Sequence, residues 1–276
     1  MSRLTPIIFL QQFSNPFLNN LAIILADFAD LLFILAVTFV YWCVDRKKGE
    51  TLGYISVTNM LFSITLKNIF KAPRPIGSEG IFSLAEGSAP GYSFPSTHTQ
   101  IFSNLATALG LISRKGILTI SLTVLTVIMG ISRMYLGVHY LSDVLGGVIF
   151  GFIAAVFSHF LANKVKNRIK LYGFTLLIAC IPLLFGTSPE YIMMLFGFLS
   201  FYLGILFERR FVHFEVSGSA WKKTFRFISG IMILLALYIG LKYVPLPEVA
   251  RNSLRYFAVV FTAIGLCPWL FKKINL

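Results

Sequence analysis

Apolar runs of roughly 17–25 residues, long enough to cross the hydrocarbon of a bilayer as a helix, recur along the whole of this 276-residue chain. That repetition constrains the fold more than any other feature. Within lipid every backbone polar group needs an internal partner, so the expected fold is an all-α, polytopic transmembrane bundle. Composition agrees: 57% of residues are hydrophobic and 13% charged, and the mean hydropathy is +0.79, outside the range of soluble domains. The expected spans cover about 21–44, 51–70, 95–111, 117–135, 139–162, 171–185, 191–207, 225–244 and 254–271, giving about nine crossings and no soluble domain. Residues 4–20, broken by Pro6 and Pro16 and carrying Gln11, Gln12 and Asn19, read as an interfacial segment. The start of the chain shows no small-residue cleavage pattern, so the first span is expected to remain in place.

A net charge of +13 raises the question of nucleic acid, and the position of the charge answers it. With nine spans, one membrane face receives 45–48, 114–115, 164–170, 209–226 and 272–273, which together hold 16 of the 24 Lys and Arg. By the positive-inside rule that face is cytoplasmic, so the charge reports membrane orientation and no nucleic-acid partner is expected. Cys43, Cys180 and Cys267 are odd in number and sit in apolar runs, as packing thiols do. Two carboxylates, Asp27 and Asp30, lie inside the first span on one helix face. Intramembrane carboxylates are costly, and these are expected either to pair with a polar group near the site or to be structural.

Between Lys67 and Asp143 the membrane pattern is interrupted by polar residues at fixed intervals, all on the face opposite the basic loops. His139 and Asp143, four apart at an expected helix start, let a carboxylate hold one ring nitrogen while the other stays unprotonated, as a nucleophilic imidazole requires. Alone, such a pair would read as a helix-start cap. Arg133, after Ser132 at the end of the preceding span, can fold back beside that ring and offer a planar fork of donors to phosphate oxygens. Lys67 and Arg74 bring two further cations to a face where basic residues are disfavoured. Pro95-Ser96-Thr97-His98 stands where a helix should begin: its free N–H groups make an anion site, Ser96 adds a hydroxyl, and His98 lies within a turn of a bound group, placed to protonate a leaving oxygen. Lys71 is expected to face headgroups, and Tyr92 and Tyr135 to flank the entrance. Gly147-x3-Gly151 is expected to allow close helix packing. No His/Cys cluster has the spacing of a zinc site.

Lys67-x6-Arg74-Pro75, Pro95-Ser96-x-His98 and Ser132-Arg133-x5-His139-x3-Asp143 resemble, in order and spacing, the three-part signature of type 2 phosphatidic acid phosphatases, membrane relatives of the vanadium haloperoxidases. The resemblance covers roughly residues 60–165. It implies a PAP2-type catalytic core over 1–170, with C-terminal helices of unassigned role over 171–276. It implies attack of His139 on phosphorus to give a phosphohistidine, Asp143 orienting the imidazole, and His98 as general acid. Lys67, Arg74, Ser96, Arg133 and the N–H of Thr97 would bind the phosphoryl oxygens, without metal or other cofactor. Thr97 stands where many members carry glycine; the Ser-Thr-His version is similar to that of sphingosine-1-phosphate phosphatases and some bacterial relatives. The expected partner is a phosphorylated lipid in the bilayer: phosphatidic acid, a sphingoid-base phosphate, phosphatidylglycerophosphate or a polyprenyl diphosphate. The expected location is a bacterial inner membrane with the site on the periplasmic, outer or lumenal side. A soluble sugar phosphate is the alternative substrate, and a non-catalytic carrier of anionic lipid the alternative of another class.

Overall fold

Each of the nine expected segments is helical in the computed structural model, which describes residues 3–276 apart from the side chains of Ala29, Asp30 and Ser88. A short α1 (Thr5–Gln11) precedes α2 (Pro16–Phe39), α3 (Arg46–Phe70), α4 (Thr97–Ser113), α5 (Gly116–Tyr135) and α6 (Leu141–Lys164). Then come α7 (Arg168–Cys180), α8 (Pro189–Phe207), α9 (Ala220–Gly240), α10 (Glu248–Phe261) and α11 (Cys267–Lys273). Among the described residues there is no strand. Starts fall where a side chain can satisfy the unpaired N–H groups of a first turn: Asn167, Ser188 and Ser219 accept from Lys170, Tyr191 and Lys222.

Six of these segments are long and apolar enough to cross a membrane, and a seventh is reached if the two bent pieces of Pro16–Val44 form one span. The count of nine is not met by α3 and α4, for a physical reason. Helix α4 has only 17 residues, and α3 carries Arg46, Lys47, Lys48, Glu50, Asn59 and Lys67. Both bury polar side chains against protein: Ser56, Asn59 and Ser63 on α3, and Thr99, Gln100 and Asn104 on α4. A helix enclosed by protein escapes the hydropathy that lipid contact imposes.

The chain divides into two compact units. One comprises the residues up to Phe33 and Phe62–Phe157. Within it α1 is fixed by Ile7, fully buried against Met134 and Val144, and by Gln11. The Gln11 amide donates to the carbonyls of Phe82 (2.6 Å) and Tyr135 (2.9 Å) and accepts from the Phe82 N–H (3.0 Å). Helices α4 and α6 meet through Gly147 and Gly151, where an added Cβ would lie 2.7 Å from the Ser96 carbonyl oxygen and 2.5 Å from that of Gln100. The expected close packing is thus realised between these two helices, and the Ser103 hydroxyl uses the proximity to donate to the Val148 carbonyl at 2.7 Å. Asp27 on α2 is exposed, and the side chain of Asp30 lies outside the described residues.

The other unit comprises Ile34–Leu61 and Ser158–Leu276. Its spans contain π-turns at Val40–Val44, Glu208–Val212 and Thr262–Leu266. Such turns disturb the helical ladder, and in each a carbonyl accepts a side chain from elsewhere in the unit. Arg226 donates to Trp42 (2.6 Å), Lys272 to Val212 (2.6 Å) and the Trp42 indole to Ala263 (2.9 Å). Two buried carboxylates are paired, Glu208 with Arg46 at 2.5 Å and Glu50 with Arg209 at 2.7 Å, which offsets the cost of taking the charges out of water.

Candidate active site

The site begins where α3 ends. Lys71 takes the left-handed conformation (φ 47°) and its N–H closes on the Lys67 carbonyl at 2.9 Å, ending the helix in the usual C-cap manner. Lys71 itself is exposed, whereas Lys67 is buried, its ammonium donating to the carbonyls of Tyr92 (2.6 Å) and Ser93 (3.4 Å). The guanidinium of Arg74 donates to the carbonyls of Pro90 (2.9 Å), Gly91 (3.0 Å), Tyr92 (3.1 Å) and Val138 (2.9 Å). The loop before Pro95 thus acts through its backbone: one run of carbonyls holds both cations.

Helix α4 begins at Thr97, two residues beyond Pro95, with Ser96 at the cap. The Ser96 side chain caps nothing in the helix; its hydroxyl accepts from Thr99 at 3.1 Å, and its N–H donates to the Asp143 carbonyl at 3.0 Å. The Thr97 hydroxyl bonds that of Ser63 at 3.1 Å. His98 is buried within reach of the charges of Arg133, Lys67 and Arg74 and of the His139 ring. Tyr135, expected at the entrance, is instead buried and donates to Asn19 at 2.5 Å.

From the end of α5 the chain turns through Gly137 (φ 70°), where any Cβ would stand 2.5 Å from the Phe82 carbonyl oxygen. This turn carries the chain from Arg133, fully buried, to His139. Helix α6 starts at Leu141, so His139 precedes it, and the two partners do not share one helix face as the sequence suggested. Asp143 occupies the third helical position and accepts from the Tyr140 N–H at 2.8 Å, half of a capping box. The same oxygen, Oδ2, lies 3.3 Å from His139 Nδ1. A proton on Nδ1 directed to this carboxylate leaves Nε2 with its lone pair, 3.1 Å from Arg74 Nη1. His139 and Arg74 both lie in connecting segments outside the spans. Burial, reinforced by the charges of Arg74, Lys67 and Arg133, holds the His139 imidazole well below its ordinary range. Burial lowers Arg74 to about 10, opposed by the Asp143 carboxylate. The imidazole is therefore neutral at pH 7 and Arg74 is charged.

Ser93 belongs to this arrangement and was not singled out from the sequence. Its hydroxyl donates to Asp143 Oδ2 in a short hydrogen bond and lies 3.4 Å from His139 Nδ1, while its N–H is tied to the Ala72 carbonyl at 2.8 Å. The only signal was its place two residues before Pro95. Ser93 thus holds the carboxylate that faces the imidazole. Ser93→Ala is expected to lower kcat roughly thirtyfold with little change in KM, matching about 2 kcal/mol for a hydrogen bond to a charged group. Steady-state kinetics on purified protein checks the split; equal changes in both constants would point to a binding role instead.

A sequence model described as the PAP2 superfamily matches residues 50–167, which hold the whole site. A second, described as the PAP2 superfamily phosphatase, transmembrane extension, matches residues 192–276. The chain carries a PAP2 superfamily domain followed by the transmembrane extension of that superfamily's phosphatases. This PAP2 chain is accordingly an integral membrane phosphatase. It is 26% identical over 165 residues to undecaprenyl-diphosphatase BcrC of Bacillus subtilis, an alignment covering 57% of this chain and 84% of the relative. With human sphingosine-1-phosphate phosphatase 2 it shares 29% identity over 127 residues, covering 44% of this chain but 31% of that longer protein. Among solved structures, Aquifex aeolicus LpxE is 25% identical, with a TM-score of 0.48, over 55% of this chain and 91% of the other.

Proposed function

We propose that this PAP2 phosphatase hydrolyses a lipid phosphate through a phosphohistidine on His139. His139 Nε2 attacks phosphorus; the P–N bond forms as the bond to the leaving oxygen breaks, and His98 gives that oxygen its proton. Asp143, fixed by Ser93 and the Tyr140 N–H, keeps the Nδ1 proton in place and balances the positive charge the ring acquires. Lys67, Arg74, Arg133, the Ser96 hydroxyl and the Thr97 N–H take up the phosphoryl oxygens, with the Arg74 fork passing from Nε2 to the phosphate. Water, giving its proton to His98, then cleaves the P–N bond, and inorganic phosphate leaves. No metal enters this scheme. The observation that carries the reading is the placement of the His139 ring, its Nδ1 on a buried carboxylate and its Nε2 directed at a guanidinium.

Substrate class and sidedness belong to the same proposal. The named relatives act on an undecaprenyl diphosphate and on sphingosine 1-phosphate, which favours an amphiphile. In each of α3, α4, α5 and α6 a site residue (Lys67, His98, Arg133, Asp143) stands near one end and a basic connection near the other. By the positive-inside rule the site then faces away from the cytoplasm, as on the periplasmic side of a bacterial inner membrane. Residues 1–170 form the catalytic core, and 171–276 an extension of the bundle.

Phosphate release should be measured from phosphatidic acid, sphingosine 1-phosphate, polyprenyl diphosphate and glucose 6-phosphate with EDTA present. Turnover is expected on a lipid member and not on the sugar. Because the folded pKa of His139 is lowered, the ring stays neutral as pH falls through its usual range. The acid limb of kcat/KM should therefore show one ionisation, that of the substrate phosphate near about 6. Two superposed ionisations, or turnover lost in EDTA, would contradict the scheme.

A further inference from the structure

Beside the buried phosphate site lies a groove of about 850 Å³ that the chemistry above does not use. Its apolar walls come from Phe9 on α1, Phe70 at the end of α3, Phe94 before α4, and Leu141 and Leu145 on α6. Ser142 and Asp143 are also among its lining residues, so the groove adjoins the residue whose carboxylate holds His139. The two spaces contrast sharply in exposure. Arg133, His139 and Asp143 are 0%, 2% and 2% exposed, whereas Phe9, Phe70, Leu141 and Leu145 are 41–57% exposed.

Helix α1 forms one wall and is firmly placed there. Ile7 and Gln11 face inward and anchor it, while Arg3, Pro6 and Phe9, three apart along the chain, all line the groove. The Phe70 and Phe94 rings, which also line it, meet edge to face at 4.8 Å. The volume matches cavities of about 300–1,000 Å³ that take drug-sized ligands, far more than a phosphate needs. Apolar walls this exposed are costly if they face only water, and a small sugar would leave them uncovered. A hydrocarbon chain would cover them while its phosphate sits at His139, and Arg3 would meet any second anionic group along it.

We infer that this groove seats the hydrocarbon chain of the substrate, with α1 as its outer wall. The inference rests on the lipid-phosphate reading and assigns chain recognition to residues distinct from those that bind phosphate. Two measurements separate the fate of the one from the other. First, full-length protein in detergent is cross-linked with a photoreactive, non-hydrolysable hexadecyl phosphonate and the labelled peptides are mapped. Label is expected on residues 5–13 and 140–146, whether or not the protein turns over; label confined to α7–α11, or spread as for a detergent-soluble probe without the phosphonate, overturns the inference. Second, the ratio of kcat/KM for hexadecyl phosphate to that for butyl phosphate, and for farnesyl to isopentenyl diphosphate, is measured in wild type, Phe9→Asp and Leu145→Asp. The ratio should fall at least about tenfold, the worth of a few lost methylene contacts. An unchanged ratio in both variants excludes the groove as the chain site even if phosphatase activity is intact, whereas label in the groove without phosphate release would leave the groove standing and remove the catalytic reading.

Discussion

Replacing His139 with alanine is expected to lower phosphate release by at least about 10⁴-fold, the scale on which loss of a nucleophile disables an enzyme that works by covalent intermediates. The loss should not come from unfolding. Arg74 Nη1, which faces His139 Nε2, also donates to the Val138 carbonyl, so the guanidinium keeps partners when the ring is removed. Asp143 likewise retains Ser93 and the Tyr140 N–H. Thermal unfolding in detergent should therefore move little for His139→Ala, and His139→Gln should be equally inactive and equally folded. A carrier that only binds anionic headgroups with Lys67, Arg74 and Arg133 predicts the reverse: substrate binding and transport survive without the ring.

Asp143→Asn is expected to cost between about 10² and 10⁴ in kcat, the upper figure being that for removing the orienting carboxylate of a histidine-based site. One oxygen, Oδ2, accepts from Ser93 and the Tyr140 N–H and faces His139 Nδ1. An asparagine oxygen can keep those contacts and preserve the cap on α6, so the missing element is the negative charge. In the proposed scheme that charge is needed when the attacking ring becomes a cationic phosphoimidazolium in a buried place, where an uncompensated charge is costly. Loss should fall on kcat, through slower formation of the phosphoenzyme. An effect under tenfold would place the balancing charge elsewhere.

What could be read from the chain, and what could not, follows from how each feature is encoded. His139, Asp143, Arg74, Lys67 and Arg133 stand out because charged and titratable side chains are rare in a sequence this apolar and recur at fixed spacing. Ser93 and the carbonyls of residues 90–92 do not, because a hydroxyl in a serine-rich loop is unremarked and a carbonyl carries no residue identity. The contact of His139 with Asp143 was anticipated from helical spacing, yet it arises because Asp143 caps α6 and His139 lies just before it. The nine segments were visible as apolar runs, but hydropathy could not say which were sheltered. Asn59 and Ser63 on α3, and Gln100 and Asn104 on α4, are polar because protein surrounds them. Residues 4–20 read as interfacial, while the anchoring of α1 through Gln11 depends on partners 71 and 124 positions away, beyond any local pattern.

The most direct measurement is rapid quenching of wild-type protein during turnover of a terminally radiolabelled lipid phosphate, followed by mapping of the labelled residue under alkaline conditions that preserve phosphohistidine. Covalent catalysis predicts label on His139, less of it in Asp143→Asn, and none in His139→Ala. Full turnover with no labelled histidine, or label on another residue that persists in His139→Ala, would contradict it.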